Sequence, residues 1–197
     1  MERGARVPAA CRGRDALMFG PRIQGRNGVS LVPPTLEDFK LHVAWELQPE
    51  VGRFWGPRFG EMTADKQEER FKKTGADQSQ LMWTIAYEDE PVGYTGIFGI
   101  DWVRRDGESG IFIGRHDLFG RGIASEAVRL RTRFAWDELR MHRVHNWIAH
   151  ANRGSRRANE KSGYTQMGLF KQSYFRSGEW YDDWLGEVFA RTFPDEA

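Results

Sequence analysis

In the stretch DLFGRGIASEAVRLRTRFAW, residues 117–136, two glycines and an arginine stand directly ahead of a helix-like apolar stripe. A helix start leaves about four backbone N–H groups without partners and carries roughly half a positive charge. Gly120 and Gly122 put no side chain in a ligand's way there, and Arg121 adds a cation. Those residue types in that order suit an anion, a diphosphate above all. The competing reading is a strand-to-helix turn whose glycines only supply positive φ for tight packing. Two familiar phosphate motifs are excluded: G-x-x-x-x-G-K-[ST] does not occur, and GRGIAS lacks the third glycine of a dinucleotide fingerprint.

Other polar residues raise the same question. Arg156 and Arg157 fall at the start of a shorter helix, where cations oppose the macrodipole by roughly 0.3–1 kcal/mol and an anionic ligand would relieve that cost. Two solvated arginines are the plainer reading. The chain has 5 histidines, which raises the question of a metal. His142, His145 and His150 lie around one expected strand, yet 145 and 150 point to opposite faces under two-residue alternation. No cysteine joins them, and His42 and His116 have no evident partner, so no metal is expected.

These residues need elements to hold them. VSLVPPTLEDFKLHVAWE reads as a short strand, a Pro-Pro stop and a helix capped by Thr35, with Leu36, Phe39, Val43 and Leu47 on one face. RFWGPRFGEM is a loop, and Thr63 is placed to cap a polar helix running through Lys73. Three strands follow over 81–114, with turn signals at 88–91 and 104–107, which predicts an antiparallel meander. A helix over 121–139 carries Ile123, Ala127, Leu130 and Phe134 at steps of 4, 3 and 4. RVHNWIAHAN is a strand, SRRANEKSGY a short helix closing at Gly163, and the remainder a hairpin. The strand–helix–strand unit over 111–151 predicts a right-handed parallel crossover inside an otherwise antiparallel sheet. The expected class is α/β (α+β): a mixed, mostly antiparallel central sheet with one parallel crossover and helices on both faces.

Length and charge bound the rest. A chain of 197 residues suits one domain with a real core, expected over 21–197 behind a loose, Arg- and Gly-rich extension over 1–20. Lys and Arg number 29 against 28 Asp and Glu, and a net charge of +1 argues against bulk attraction to nucleic acid or membrane. Cys11 is the single cysteine, which excludes an internal disulfide framework and fits a reducing compartment. PAAC has a faint look of a lipoprotein cleavage site, but no apolar run of about 7 residues precedes it. No stretch approaches the ~20 apolar residues of a membrane span. A soluble cytoplasmic protein is expected.

The segment ESGIFIGRHDLFGRGIASEAVRL, followed by RMHRVHNWIAHANRGSRRANEKSGY, resembles the GNAT acyltransferase superfamily, most of all its RimJ/RimL-like N-acetyltransferase branch. The resemblance runs over 29–190 and rests on Gly120-Arg121-Gly122-Ile123-Ala124, Asn152-x-x-Ser155 and Glu160-Lys161-x-Gly163-Tyr164, in that order. It implies a GNAT-like fold and acetyl-CoA as donor. It implies that the backbone at Gly120, Arg121, Gly122, Ile123, Ala124 and Ser125 grips the pyrophosphate, with Asn152 and Ser155 nearby. The strand edge Phe112, Ile113 and Gly114 then pairs with the pantetheine amides, and the two parallel strands splay to admit the thioester. Splaying frees N–H groups, one of which is placed to polarise the thioester carbonyl.

Acyl transfer to an amine needs a neutral amine, a polarised carbonyl and a stabilised thiolate. An α-amino group, with a free pKa near ~7.7–8.0, needs less base assistance than a lysine near ~10.4. The resemblance implies Glu108 as base, since the family often has a glutamate at the start of that strand; a carboxylate that merely solvates the adjacent turn is the alternative. Many relatives place a tyrosine acid seven residues after the N-x-x-S asparagine, where this chain has Asn159, which has no mobile proton to give. Ser155 matches the serine that supports the thiol in the RimL-like branch, or else caps the short helix. The branch's glutamate on the following strand falls at Tyr174, which can protonate a thiolate or simply pack. Phe54, Trp55, Tyr174, Trp180 and Tyr181 are expected around the acceptor, with Asp182 and Asp183 to attract an ammonium, against an ordinary aromatic core with a charged turn. The implied activity is acetyl transfer to a primary amine: a protein N-terminus, an amino acid, a polyamine or an amine-bearing small molecule. Analogy with relatives leaves room for a homodimer. Asn159 favours a second reading, a catalytically weakened acyl-CoA-binding sensor or interaction module.

Overall fold

The computed structural model describes residues 18–54, 64–176 and 178–193. Most of the expected extension, Trp55 and the expected cap Thr63 lie outside them. Asn27 and Gly28, both at positive φ, turn β1 (Ile23–Gln24) back into β2 (Val29–Val32). Two prolines stop β2, and Thr35 starts α1 (Leu36–Glu46) through a capping box. Its hydroxyl accepts from the Asp38 N–H at 3.2 Å, and the Asp38 carboxylate accepts from the Thr35 N–H at 2.8 Å. The buried face of α1 differs from the expected stripe. Phe39, His42 and Trp45 are buried, while Leu47 is 79% exposed. The cause is His42, whose ring lies 4.4 Å from the Tyr94 ring at a tilt of 40° and turns an aromatic edge of the helix to the sheet.

Two further helices, α2 (Pro49–Gly52) and α3 (Ala64–Ala76), lead into the expected meander of β3 (Leu81–Tyr87), β4 (Glu90–Asp101) and β5 (Asp106–Ile113). Glu88, Asp89 and Arg105 take positive φ at its turns. Helix α4 (Ile123–Asp137) then crosses to β6 (Arg143–Ala149), which runs parallel to β5. After α5 (Arg153–Glu160) come β7 (Thr165–Arg176) and β8 (Glu179–Phe189), an antiparallel hairpin as expected. The sheet has 8 strands in the order β1-β2-β3-β4-β5-β6-β8-β7, so the second strand of the hairpin is the inner one.

Strand alternation divides the interior into two layers. Leu81, Trp83 and Ile85 enter the larger core, which joins one sheet face to Ile123, Ala127, Val128 and Leu130 of α4. Met82, Tyr94 and Phe112 enter the smaller core on the other face, against Phe39 and Trp45 of α1 and Val51 of α2. Helices thus cover both faces of a mixed sheet. Among the described residues, no helix is long and apolar enough to cross a membrane.

Candidate functional site

The parallel pair is short. β5 and β6 are in register only at Asp106↔Arg143, Gly107↔Val144 and Glu108↔His145. Beyond Glu108, β5 continues paired with β4 alone, and beyond His145, β6 continues paired with β8 alone. The strands therefore part into a V. Its closed end is tied by Asp106, whose carboxylate accepts from Arg143 Nη2 at 2.8 Å and Nε at 3.1 Å and meets His145 Nδ1 at 3.1 Å. Burial alone would raise the Asp106 carboxyl, but the hydrogen bonds from Arg143 and His145 outweigh it and hold the group below the ordinary carboxylate range. Arg143 also reaches Glu187 of β8 at 3.4 Å, so one guanidinium joins three strands.

Backbone alternation decides which groups enter the V. The Arg143 N–H donates to the Arg105 carbonyl across the parallel pair, whereas the Gly114 N–H donates to the Val92 carbonyl on the β4 side. Along β5, odd-numbered residues thus turn their N–H and C=O toward β6 and even-numbered ones toward β4. Ile111 and Ile113 present theirs to the gap that β6 has left. Gly114 serves packing instead, since a Cβ there would lie 2.0 Å from the Trp45 ring.

The V opens into a cleft of about 1120 Å³. Glu108, Phe112, Ile113, Gly120, Gly122, Ile123, Ala124, Ser125, Asn152 and Ser155 all line it, while Gly114 and Arg121 do not. Phe54 lines it too, as do Glu50, Arg53, Arg70 and Phe98. Tyr174 stands opposite Tyr181 in the β7–β8 hairpin, at the sheet edge beyond β8, and its side chain lies outside the described residues. Trp180, Tyr181, Asp182 and Asp183 are not on the cleft wall. Asp182 accepts from the Gln172 N–H and Asp183 from the Ser173 hydroxyl, both at 2.9 Å, which fixes the irregularity in β7.

At the start of α4, Gly120 and Gly122 both take φ +83, and Gly122 is the N-cap without any side-chain hydrogen bond. A Cβ on either would meet nothing within 4 Å. The backbone conformation demands these glycines, not close packing, and the space before them is open. The amides of Ile123, Ala124 and Ser125 have no capping side chain, and their residues line that space. The Arg121 N–H instead turns back to the Leu118 carbonyl at 3.4 Å.

Helix α5 forms the facing wall. Asn152 is its cap, accepting from the Ser155 N–H at 3.2 Å. The Ser155 hydroxyl makes no hydrogen bond among the described residues. Arg153, Arg157 and Lys161 bring cations to the same wall. Asn159 is 1% exposed; its Nδ2 donates to the Ser155 carbonyl at 2.8 Å and its Oδ1 accepts from Asn146 Nδ2 at 2.7 Å. The position at which the resemblance leads one to expect a tyrosine acid thus joins α5 to β6. Arg131 and Asn146 also line the cleft and were missed from the sequence. Arg131 lies four residues after Ala127, on the apolar stripe, and Asn146 stands two residues from the buried Val144 and Ile148, on the same face of β6. Those spacings were the available signal.

Residues 29–165 match the family described as Acetyltransferase (GNAT) domain. YdaF of Bacillus subtilis (strain 168), provisionally named a ribosomal N-acetyltransferase, is 25% identical over 183 residues, which cover 86% of this chain and 100% of YdaF. YjcK of the same strain, provisionally named an N-acetyltransferase, is 36% identical over 77 residues, 39% of this chain, and the chain spans only 41% of the length of YjcK. The spermidine N-acetyltransferase from Vibrio cholerae, solved in complex with CoA and spermine, has a TM-score of 0.76 at 17% identity, over 84% of this chain and 97% of that one. The Microcin C7 self immunity acetyltransferase MccE, solved with acetyl-CoA and AMP, has a TM-score of 0.70 at 15% identity, over 83% and 93%. At such identities the structural likeness is one of fold. The family match covers well over half of the sequence, and the chain belongs to the GNAT acetyltransferase family.

Proposed function

We propose that the domain is an N-acetyltransferase that brings acetyl-CoA and a primary amine together in one ternary complex. One observation carries the reading: uncapped amides at the start of α4 and the backbone of a splayed parallel pair open onto a single cleft. The chain's own groups fit the coenzyme. The amides of Ile123, Ala124 and Ser125, with Arg153, Arg157 and Lys161 opposite, suit a diphosphate. The edge of β5 at Ile111 and Ile113 offers strand-like pairing to an extended arm, while Phe112, whose backbone turns to β4, only lines the cleft, and Asn152 and Ser155 shape the wall beside it. Acetyl-CoA supplies the activated acetyl group; binding, orientation and proton movement fall to the chain.

The amine nitrogen bonds to the acetyl carbon, the C–S bond breaks, the nitrogen loses a proton and the sulfur gains one. Glu108, exposed where the strands part, takes the amine proton through water. Ser155 supports the departing sulfur with its uncommitted hydroxyl, and Tyr174 is the alternative donor. Arg53, Arg70, Glu50 and Glu108 all line the cleft. That mixture of charge favours an acceptor with an anionic or carbonyl group close to its amine, such as an amino acid or a peptide N-terminus, over a bare polyamine. An α-amine also asks least of Glu108.

Asn159 favours a second reading, because both ends of its amide are engaged where an acid would stand: a domain that binds acyl-CoA without turning it over. Incubation with acetyl-CoA and a panel of amino acids, peptides, polyamines and amine-bearing antibiotics, read by mass and by free CoA, separates the two. Acetylated α-amines are the expected product. Tight acetyl-CoA binding with no CoA released across the whole panel would replace the transferase with the sensor.

A further inference from the structure

On the stripe of α4 that packs against the sheet stands a charged residue, Arg131, 0% exposed. It makes no ion pair among the described residues. A guanidinium cannot shed its proton, and taking it out of water is costly, so its charge has to be met by dipoles. Those dipoles converge on one peptide. Arg131 Nη1 donates to Thr95 Oγ1 at 2.7 Å and to the Gly110 carbonyl at 2.9 Å. The Thr95 hydroxyl in turn donates to the same carbonyl at 2.8 Å. Gly110 therefore receives the cation directly and again through a hydroxyl that the cation polarises.

The Gly110 carbonyl shares its peptide unit with the Ile111 N–H. The two point in opposite directions across a trans peptide, the carbonyl toward β4 and the N–H into the V. Positive charge at the oxygen end draws electron density through the C–N bond and makes the N–H a stronger donor. We propose that Arg131 is a positioning residue that makes the Ile111 N–H the oxyanion donor for the thioester carbonyl, acting through the peptide between Gly110 and Ile111. This rests on acetyl-CoA occupying the V as proposed above. The remaining contacts hold the arrangement at the point of divergence. Arg131 Nη2 donates to Tyr164 Oη at 3.2 Å, Tyr164 Oη lies 3.2 Å from Ser109 Oγ, and that hydroxyl donates to the His145 carbonyl at 3.2 Å. His145 is on the last paired rung before the strands separate.

The test is isotope-edited infrared spectroscopy of acetyl-CoA labelled at the acetyl carbonyl, with calorimetric affinity and kcat measured alongside. The variants are Arg131→Met, Arg131→Lys and Thr95→Val, the last keeping the cation and the volume. Bound to the wild type, the carbonyl stretch is expected below its value in water. In Arg131→Met it returns toward that value and kcat falls about tenfold, while acetyl-CoA affinity stays within about twofold. Arg131→Lys recovers part of both losses, and Thr95→Val falls between wild type and Arg131→Met. An unchanged stretch in folded Arg131→Met overturns the role. Should that variant not fold, an unchanged stretch in Thr95→Val overturns it. A wild type that binds no acetyl-CoA refutes instead the reading of the cleft beneath this one.

Discussion

Gly122 meets a conformational demand and an electrostatic one at the same point, and two substitutions pull them apart. At φ +83 a Cβ is strained although nothing stands in its way. Gly122→Ala is therefore expected to cost roughly 1–2 kcal/mol, a fall in Tm of about 2–8 °C for a chain of this size, with acetyl-CoA binding largely kept. Gly122→Asp adds a carboxylate in front of the open amides. It is expected to lose at least ~1.4 kcal/mol of binding, more than tenfold in Kd, beyond the alanine variant. Calorimetry on both variants decides this, and equal affinities would remove the diphosphate from the turn. The approach to the turn is held by Arg115, whose hydrogen bonds to Asp117 at 2.7 and 2.8 Å pull that carboxyl down to about 2. The clasp stays ionised throughout the neutral range.

Among the elements, the joint between β5 and β6 decides whether there is a site, because the V needs strands that pair firmly and then stop. Asp106 supplies the firmness through Arg143 and His145, with Glu187 on the far side of Arg143. Asp106→Asn is expected to destabilise the fold by roughly 1–2 kcal/mol at pH 7. The carboxyl is held below its unfolded value of about 3.9, so its contribution is complete above that value and lost as pH falls through the lower folded one. The urea midpoints of wild type and Asp106→Asn should converge as the pH falls below about 4. A gap that persists or widens in acid would contradict this account. The sequence made legible whatever local chemistry decides: the turns of the meander, the Pro-Pro stop, the Thr35 box and the glycine turn. Tertiary contacts decided the rest. His42 is buried because Tyr94 offers it a ring, a partner that helical spacing does not reveal. The hairpin of β7 and β8 reads alike in either orientation, and β8 lies inside because Trp184 and Val188, each 1% exposed, fill the core beside β6. Arg131 could be placed on a buried stripe by spacing, but the acceptors that let it stay there come from β4, β5 and the segment after α5.

At the scale of the whole molecule, the V divides the sheet into β1 to β5 on one side and β6, β8 and β7 on the other. Three rungs and the helices that cross between them carry the connection. A ligand that pairs with the β5 edge and rests on α4 and α5 spans that division, so its binding energy adds to the cohesion of the halves. At 100 times its Kd, acetyl-CoA is expected to stabilise the native state by about 2.7 kcal/mol, raising Tm by roughly 5–11 °C. Gly122→Asp, with its Kd weakened at least tenfold, should show no more than about half of this rise at the same ligand concentration. Location is read separately, by hydrogen exchange. The Ile111 and Ile113 amides, turned into a gap without a strand partner, should exchange readily in the free protein and gain protection with acetyl-CoA. A higher Tm without protection at those two amides would mean that the coenzyme binds outside the V, and the assignment of the β5 edge would fall while the family membership stood.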